Sequence, residues 1–369
     1  MITSPNITGL SESENSFAPH RGKQMDEITK EHQEKTTRQL VMVGSLCLVT
    51  LFFAVFSMGT GSSETLDMKT SMKIMFGIQT PSELQSDIIW RLRLPRVLMA
   101  IIAGTALATA GALMQGCLGN PLVSPLTLGV ASGAALGAAF AIILGFSVFP
   151  KAAIVANAFA FSLLVVAIII QLGSMRSVSA ESYILVGIAI TFISGAIVST
   201  LTYFATDAQL SQLTHWSFGS LSRPTLEDTI WIGAIVLCLI PMGLIFAWDL
   251  NAMSLGGDDF AISTGVEPQS TRRNILILSA LLTSVVISFT GLIGFVGLAA
   301  PHMSRLIIGN DYRKLIPCSA VSGSLLMLFA DTAGRTLFAP VVIPVGIMLS
   351  IIGGPVFMYL LMRHRGGVM

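Results

Sequence analysis

The sequence predicts an all-α membrane protein that crosses the bilayer about ten times. The 369-residue chain is 53% hydrophobic and only 11% charged, whereas a soluble domain carries about 25% charged residues. Its mean hydropathy is +0.77. After Arg96 no Asp, Glu, Lys or Arg occurs until Lys151. Since one membrane helix needs about 20 apolar residues, this charge-free run has room for two helices.

Hydropathy and the charged residues that interrupt it place the spans. They are 40–58, 97–115, 122–146, 152–172, 183–205, 229–248, 274–291, 293–308, 316–334 and 341–362. The eighth span is short and contains Pro301, which predicts a broken or tilted helix. Spans two to five and spans seven to ten each start with a Gly-rich helix and a break that holds a proline. An offset of five spans predicts that the two halves form an inverted repeat.

The second and third spans are joined by a polar, rigid turn, Gly119-Asn120-Pro121. On the helix before this turn, small residues such as Gly104, Ala108 and Gly111 fall near one face. Membrane helices pack through such residues, because lipid supplies no hydrophobic drive between them. We therefore expect this helix to lie close against its neighbours.

The chain divides into three predicted regions. Residues 1–38 are polar and rich in Ser, Thr, Glu and Lys, which predicts a disordered cytoplasmic tail. Residues 39–363 form the ten-span domain, and residues 364–369 form a second cytoplasmic tail.

The basic residues predict the orientation. With the N-terminus inside, most of the 21 Lys and Arg residues lie on the cytoplasmic side, as the positive-inside rule requires. An even number of spans then places both termini inside. Arg91, Arg93, Arg96 and Arg335 lie outside, against the rule, and this indicates a function for the exterior arginines.

The longest polar cytoplasmic loop contains a second candidate site. Gly257, Ala261 and Gly265 recur every four residues, which on a helix gives one smooth face. Asp258 and Asp259 fall in the first turn of that helix, where carboxylates suit the helix dipole. A smooth short helix can lie in a partner's groove. The alternative is a plain connecting loop with one frayed turn.

Asp331 is the only carboxylate near the interior of a predicted span. Arg335 follows it four residues later, so the two can pair on one helix face. A carrier driven by protons or sodium needs an ionisable group within the membrane, and Asp331 keeps that alternative open. A scaffold subunit that transports nothing is a third hypothesis.

The sequence also excludes several kinds of site. It has no GxxxxGK[ST] phosphate loop, so any ATP hydrolysis of that type belongs to another chain. Cys47, Cys117, Cys238 and Cys318 lack CxxC spacing and predict buried free thiols. His302 has no second ligand at metal-binding spacing and is interpreted as structural.

Several long motifs, in order, resemble the FecCD-type permease family of ATP-binding-cassette (ABC) importers. This family carries iron-siderophores, haem and cobalamin, and the resemblance covers about residues 40–362. The matching motifs are RLPR at 93–96, GALMQGCLGNPLVSP at 111–125, WSFGSL at 216–221, LGGDDFAISTGV at 255–266, FVGLAAPHMSRLIIGNDYRKLIP at 295–317, ADTAGR at 330–335 and PVG at 344–346.

The resemblance implies a ten-span permease of a type II importer in a bacterial cytoplasmic (inner) membrane. It implies a second permease (the same chain or a paralogue), two cytoplasmic ATPase subunits and an extracytoplasmic binding protein that delivers a metal chelate. This chain would bind no cofactor, because ATP and Mg belong to the ATPases. A ferric siderophore is the leading cargo, with cobalamin and haem as alternatives.

The resemblance also implies roles for residues. The family's docking arginines map onto Arg93, Arg96 and Arg335, which would grip carboxylates of the binding protein. Its cytoplasmic gate maps onto Asn120 and Leu122. Its coupling helix, which contacts the ATPase, maps onto about 255–266, with Leu255, Gly256, Gly257, Asp258, Asp259, Ala261 and Gly265 as the site residues.

Two further points come from the comparison with the family pattern. Residues around Ser179 to Glu181 are a less secure addition to the gate. The family commonly has Glu at the position of Val342, two residues before Pro344. Without that carboxylate, we expect Arg335 to pair with Asp331 instead.

Overall fold

The computed structural model describes residues 18–61, 66–174 and 180–364, and within them every regular element is a helix. The α-helices of these ranges are α1 (Ala18–Gly59), α2 (Met68–Met75), α3 (Glu83–Asp87), α4 (Leu94–Cys117), α5 (Val130–Ile143), α6 (Ala153–Ser174), α7 (Ala180–Tyr203), α8 (Asp207–Ser217), α9 (Leu226–Ile245), α10 (Ala247–Ser263), α11 (Pro268–Thr290), α12 (Val296–Ile308), α13 (Tyr312–Thr336) and α14 (Val345–His364). A π-helical turn, Ile88–Arg93, joins α3 to α4.

The chain divides into two compact units, Met1–Ser45 and Leu46–Met369. The prediction of disorder for the whole of residues 1–38 is corrected, because residues 18–38 are helical. Residues 1–17 lie outside the described residues, as do residues 365–369 of the second predicted tail.

Each of the ten predicted spans overlaps a helix, although the bounds differ. Within the described ranges, seven helical stretches are long and apolar enough to cross a membrane. They are Thr29–Gly59, Glu83–Cys117, Ala153–Gly173, Ala180–Tyr203, Leu226–Ile245, Pro268–Thr290 and Tyr312–Thr336. The other three predicted spans are occupied by the shorter apolar helices α5, α12 and α14.

Helix α5 is shorter than its predicted span, which was expected to begin at residue 122. The helix begins only at Val130, and residues 118–129 form an irregular segment. Gly119 there has a φ of 59°, and Pro121 and Pro125 cannot donate backbone hydrogen bonds. Helix α12 is also short, but it runs unbroken through Pro301; the break lies before the helix and starts at Gly291, where φ is 79°.

Helices of the two predicted repeats exchange packing partners. Helix α4, the first of one half, packs along α13 of the other half, and α11, the first of the second half, packs along α6. A hydroxyl pair marks each contact: Thr105 with Ser324 at 2.7 Å, and Ser162 with Ser284 at 2.6 Å. This reciprocal arrangement agrees with the inverted repeat.

The small-residue face of α4 makes the expected close contacts. A Cβ added at Gly104 would collide with the backbone of Gly323 on α13, and one added at Gly111 would collide with the carbonyl of Gly297 on α12. Helix α4 therefore lies against two helices backbone to backbone. We call its two termini, and the residues around them, the Arg93 end and the Cys117 end.

Candidate functional sites at the two ends of α4

Arg93, the first predicted docking residue, is buried beside the last turn of α1. Its Nη1 donates to the carbonyls of Met58 and Gly59, both at 3.0 Å, and to Ser71 Oγ at 3.0 Å. The last carbonyls of a helix have no partner within the helix, and a cation there is favoured by the helix dipole. Arg93 therefore caps α1 and does not point into open solvent.

Arg335, at the end of α13, caps the same helix from another side. Its guanidinium donates to the carbonyls of Thr60 at 2.7 Å and Ser57 at 3.0 Å. Its Nε donates to Asp331 Oδ2 at 3.0 Å, which confirms the pair expected from their four-residue spacing. Arg335 is also buried.

Asp331 joins Arg335 to the third predicted docking residue, Arg96. The Nε of Arg96 donates to Asp331 Oδ1 at 2.8 Å. The Asp331 side chain is only 1% exposed and that of Arg96 is 13% exposed. Each oxygen of the carboxylate thus accepts from a different guanidinium, and one negative charge faces two positive charges.

The arginines line a cavity of about 280 Å³ at the Arg93 end. Arg91 lies at its edge with 79% of the side chain exposed, in a surface pair with Asp87 at 3.1 Å. Val342 also lines the cavity. A carboxylate at that position, as in the family pattern, would face this cationic surface. The residues that line it are Gly61, Ile88, Arg91, Leu92, Arg93, Pro95, Arg96, Ser222, Pro224, Arg335 and Val342.

The structure thus separates the arginines that sequence reasoning grouped together. Arg93 and Arg335 are buried, Arg96 is partly exposed and Arg91 is open to solvent. Arg93 and Arg335 are buried where carbonyls at the end of α1 accept their hydrogen bonds. The sequence next to each arginine gives no sign of these partners. Arg91 was counted among the exterior arginines but not among the predicted docking residues, although its place beside Arg93 was a signal that the two belong to one surface.

At the Cys117 end, the two predicted gate residues form a tight turn. The Asn120 side-chain oxygen accepts from the backbone N–H of Leu122 at 2.9 Å. The Asn120 N–H donates to the Gln115 carbonyl at 3.2 Å, so the turn is anchored to the last turns of α4. The Leu122 side chain is exposed, and an apolar residue is thereby presented at the end of the bundle.

A short helix is present where the coupling helix was predicted, but the predicted smooth face is not. Helix α10 is broken at Gly256 and at Gly257, where φ is 72°, and Gly265 beyond its end has a φ of 88°. The two outer members of the predicted glycine face therefore lie at the ends of the short helix 258–263. Ala261, the third member, is fully buried.

Two large apolar side chains of this short helix are exposed, on either side of the buried Ala261. Phe260 and Ile262 are exposed, as is Leu255 just before the break. Asp259 is also exposed. Phe260 and Ile262 were missed by the sequence analysis, although two large apolar residues in a polar loop were a usable signal. Exposed apolar side chains outside the spans are typical of a surface that binds another protein.

Arg272, at the start of α11, joins the short helix to α4. Its Nη1 and Nη2 donate to the two oxygens of Asp258 at 2.8 and 2.6 Å. Its Nε donates to the Cys117 carbonyl at 2.8 Å. The sequence analysis counted Arg272 only as a cytoplasmic charge, because 14 and 155 positions separate it from its partners.

The first half of α10 is fixed to α13 by a second polar cluster. Asn251 donates to Asp311 Oδ1 at 2.8 Å and accepts from the N–H of Tyr312 at 2.9 Å. Asp311 is the N-cap of α13. Hydrogen bonds from Arg313 and then from Asn251 lower the pKa of Asp311 to about 2.

The described residues contain no group of three or more His, Cys, Asp or Glu side chains that could hold a metal ion. The four cysteines are free thiols, as predicted, but only Cys117 and Cys318 are buried; Cys47 is half-buried and Cys238 is exposed. The two ends of α4 thus hold the features that the structure offers for function: a cationic cavity at one end, and a turn with an apolar short helix at the other.

Comparison with known proteins places these features in a family. The model of the FecCD transport family matches residues 47–363. An ABC transporter permease protein of Methanocaldococcus jannaschii is 39% identical in an alignment of 342 positions that covers 89% of this chain and 96% of that protein. The hemin transport system permease protein HmuU of Yersinia pestis is 37% identical over 88% of this chain and 96% of its own length.

A solved structure has the same fold. It is described as an inward-facing conformation of a metal-chelate type ABC transporter, and it matches with a TM-score of 0.76 and 30% identity. The match covers 87% of this chain and 99% of the other. More distant relatives are named for the import of Fe(3+)-citrate in Bacillus subtilis, at 33% identity, and of vitamin B12 in Vibrio cholerae, at 31% identity.

Proposed function

This chain belongs to the FecCD transport family, and we propose that it carries a ferric siderophore into the cytoplasm. It is a multi-pass membrane protein and the permease subunit of an ABC importer. In the proposed complex it pairs with a second permease and with two ATPases that bind ATP and Mg, and it binds no cofactor itself. The observation that carries the proposal is the family match over nearly the whole ten-span region.

The choice of cargo rests on the range of relatives. Those with named cargoes include transporters of hemin, Fe(3+)-citrate, iron(3+)-hydroxamate, vitamin B12 and molybdate, and all of these cargoes except molybdate are metal chelates. A ferric siderophore is the member of this class that we propose, with cobalamin and haem as alternatives. The absence of a metal-binding cluster in the described residues fits a cargo that arrives already chelated.

We place this permease in a bacterial cytoplasmic membrane with both termini inside. The Arg93 end then faces outward and the Cys117 end faces the cytoplasm. The assignment is supported by the polar loop and the basic residues on the inner side, as the positive-inside rule requires.

The cationic cavity at the Arg93 end is the proposed docking site for the binding protein. Arg96 is partly exposed and is the predicted docking residue best placed to receive a carboxylate directly. Arg93 and Arg335 contribute positive charge and hold the end of α1, and Arg91 adds an open guanidinium at the edge. Charge-assisted Arg–carboxylate contacts are strong and directional, which suits a lobe that must dock in one orientation.

The short helix 258–263, with Leu255 and the glycines at its ends, is the proposed contact with the ATPase. Its two exposed apolar side chains, Phe260 and Ile262, would contact that subunit on either side of the helix. The turn at Asn120 and Leu122 is the proposed cytoplasmic gate. Transport then proceeds by alternating access, in which ATP-driven movement at the short helix opens one side of the path and closes the other.

The ion-driven carrier is not favoured by the surroundings of Asp331. Both of its oxygens accept hydrogen bonds from arginines, so the carboxylate is committed to a structural ion pair. A coupling site needs a group that can gain and lose its ion during transport.

The proposal is tested in proteoliposomes that hold this chain with its ATPase and binding protein. Uptake of a radiolabelled ferric hydroxamate, cobalamin and hemin is compared, with ATP on the ATPase side or absent. Uptake of the ferric hydroxamate that needs both ATP and the binding protein is the expected result. Uptake of only cobalamin or hemin would show that this compound, and not a ferric siderophore, is the cargo. Uptake driven by a proton gradient without ATP would overturn the importer mechanism.

A further inference from the structure

We propose that Arg272 is the positioning residue that transmits movement of the short helix 258–263 to the gate turn at Asn120 and Leu122. The proposal rests on the importer function above and adds a residue to its mechanism. No motif of the sequence analysis assigned Arg272 a role.

The guanidinium of Arg272 contacts two moving parts at once. One edge, Nη1 and Nη2, makes a bidentate pair with Asp258 of the short helix. The Nε donates to the carbonyl of Cys117, the last residue of α4. A planar guanidinium fixes the angle between the groups it binds, so displacement of Asp258 displaces the end of α4.

The end of α4 leads directly into the gate. Cys117 ends the helix, and Asn120 follows three residues later, with its N–H bonded to the carbonyl of Gln115 in the last turns of α4. The carbonyl of Cys117 is one of the terminal groups that a helix leaves without an internal partner. Arg272 supplies that partner, so the position of the gate turn depends on where Arg272 is held.

Each end of the short helix is bounded by a glycine in a left-handed backbone conformation. Gly257 at one end and Gly265 at the other have positive φ values of 72° and 88°, which glycine adopts without strain. Among the described residues, the side chains of the short helix 258–263 form hydrogen bonds with another helix only through Asp258, which accepts from Arg272. The backbone on either side and the packing of Ala261 also join the short helix to the bundle, and the ion pair is the connection that leads to the end of α4.

Burial makes the link stiff. The Arg272 side chain is 6% exposed, whereas that of Asp258 is 39% exposed. A buried guanidinium that loses its carboxylate is costly, so the pair is expected to stay formed while the short helix moves. Lysine keeps the charge but has a single nitrogen, which cannot bind Asp258 bidentately and also reach the Cys117 carbonyl.

The test uses the full complex in proteoliposomes with a reporter cysteine at the gate, Leu122→Cys. The exposed or half-buried thiols are removed by Cys47→Ser and Cys238→Ser. The rate at which a membrane-impermeant maleimide labels the reporter is measured with and without ATP and vanadate, together with ATP hydrolysis. Arg272→Lys is compared with Arg273→Lys, since Arg273 is the exposed neighbour and contacts Ser270 of its own helix.

In the reporter protein and in Arg273→Lys, we expect ATP to change the labelling rate by about fivefold or more, the lower range of coupling between sites. In Arg272→Lys, the complex should still hydrolyse ATP, but the labelling rate should no longer respond. An unchanged response in Arg272→Lys would overturn the inference. If Arg272→Lys fails to assemble, Asp258→Asn, which alters the more exposed partner, replaces it in the same experiment. Loss of the labelling response in Asp258→Asn would support the inference, and an unchanged response would overturn it.

The result separates this inference from the proposed function. If the native chain shows no ATP-dependent uptake in the proteoliposome experiment above, the importer mechanism itself is at fault. If that uptake depends on ATP and the labelling response of Arg272→Lys equals that of the reporter protein, the importer stands and only the role of Arg272 is lost.

Discussion

Arg96 and Asp331 lie 235 positions apart in the chain, and their side chains meet at 2.8 Å at the Arg93 end of α4. Because Asp331 also accepts from Arg335 at 3.0 Å, one buried carboxylate holds two of the three predicted docking arginines. The positive charge that this surface can offer to a binding protein is thus set by a residue that the binding protein cannot reach. Asp331 links the stability of the bundle to its proposed docking function.

Asp331→Asn should destabilise the protein more than any surface charge change. Loss of the carboxylate leaves Arg335 buried without its counter-charge, a change that typically costs about 3–5 kcal/mol. Denaturant unfolding in detergent measures the change in free energy. The matched control is Asp87→Asn, which breaks the exposed pair with Arg91 and should cost less than about 1 kcal/mol. Equal effects of the two variants would contradict the structural role of Asp331.

Arg96→Glu should weaken docking of the binding protein and lower uptake. The substitution reverses the charge of the partly exposed Arg96 and places a second carboxylate beside Asp331. We therefore expect the affinity of the binding protein for the permease to fall by about tenfold or more. Binding to the permease complex in nanodiscs is measured by surface plasmon resonance.

The control for that measurement is Lys69→Glu on α2. It makes the same change of charge at an exposed lysine that does not line the cationic cavity. Unchanged affinity in Arg96→Glu, or an equal loss in Lys69→Glu, would count against docking at this cavity.

Gly111→Ala should disrupt the packing of α4. The added Cβ would collide with the carbonyl of Gly297, and backbone cannot give way as a flexible side chain can, so we expect a loss of about 1–3 kcal/mol. Gly195→Ala on α7 is the control, because a Cβ there meets no atom within 4 Å. That variant should be neutral or gain about 0.5–1 kcal/mol. Thermal unfolding of the two variants in the same detergent decides between these outcomes.

Ile262→Ser should reduce binding of the ATPase without unfolding the bundle. Ile262 is an exposed apolar side chain on the short helix, and an anchor of this type typically costs more than about 1 kcal/mol when truncated at an interface. Co-purification of the ATPase with the permease gives the readout. Ser263→Ala on the same helix removes no apolar surface and should leave binding unchanged. Normal ATPase binding by Ile262→Ser would place the interface elsewhere.

Asp311 should make stability depend on pH in the acid range. Its pKa is about 2 in the folded protein, below the ordinary 3.8, because Arg313 and Asn251 donate to the carboxylate. A lowered pKa means that the contribution is complete above the unfolded pKa and is lost as the pH falls toward 2. Unfolding curves between pH 5 and pH 2 should therefore converge for the native protein and Asp311→Asn. Parallel curves would show that the carboxylate contributes nothing.

The sequence by itself determined the fold class, the position of the ten spans and the family. Transfer of a helix into lipid depends on the apolar residues within that one segment, so local composition is sufficient. The Asp331–Arg335 pair was also accessible, because four residues make one helical turn. The smooth face predicted for Gly257, Ala261 and Gly265 was wrong, because a four-residue spacing does not show where a helix breaks.

The tertiary structure decided which charged groups are buried and what they hold. Arg93 and Arg335 are caps of α1 because folding brings the carbonyls of Met58 and Thr60 to them across the chain. Arg272 joins Asp258 to Cys117 for the same reason. Burial of a guanidinium depends on partners that are distant in sequence, and only the packed helices bring those partners within hydrogen-bonding distance.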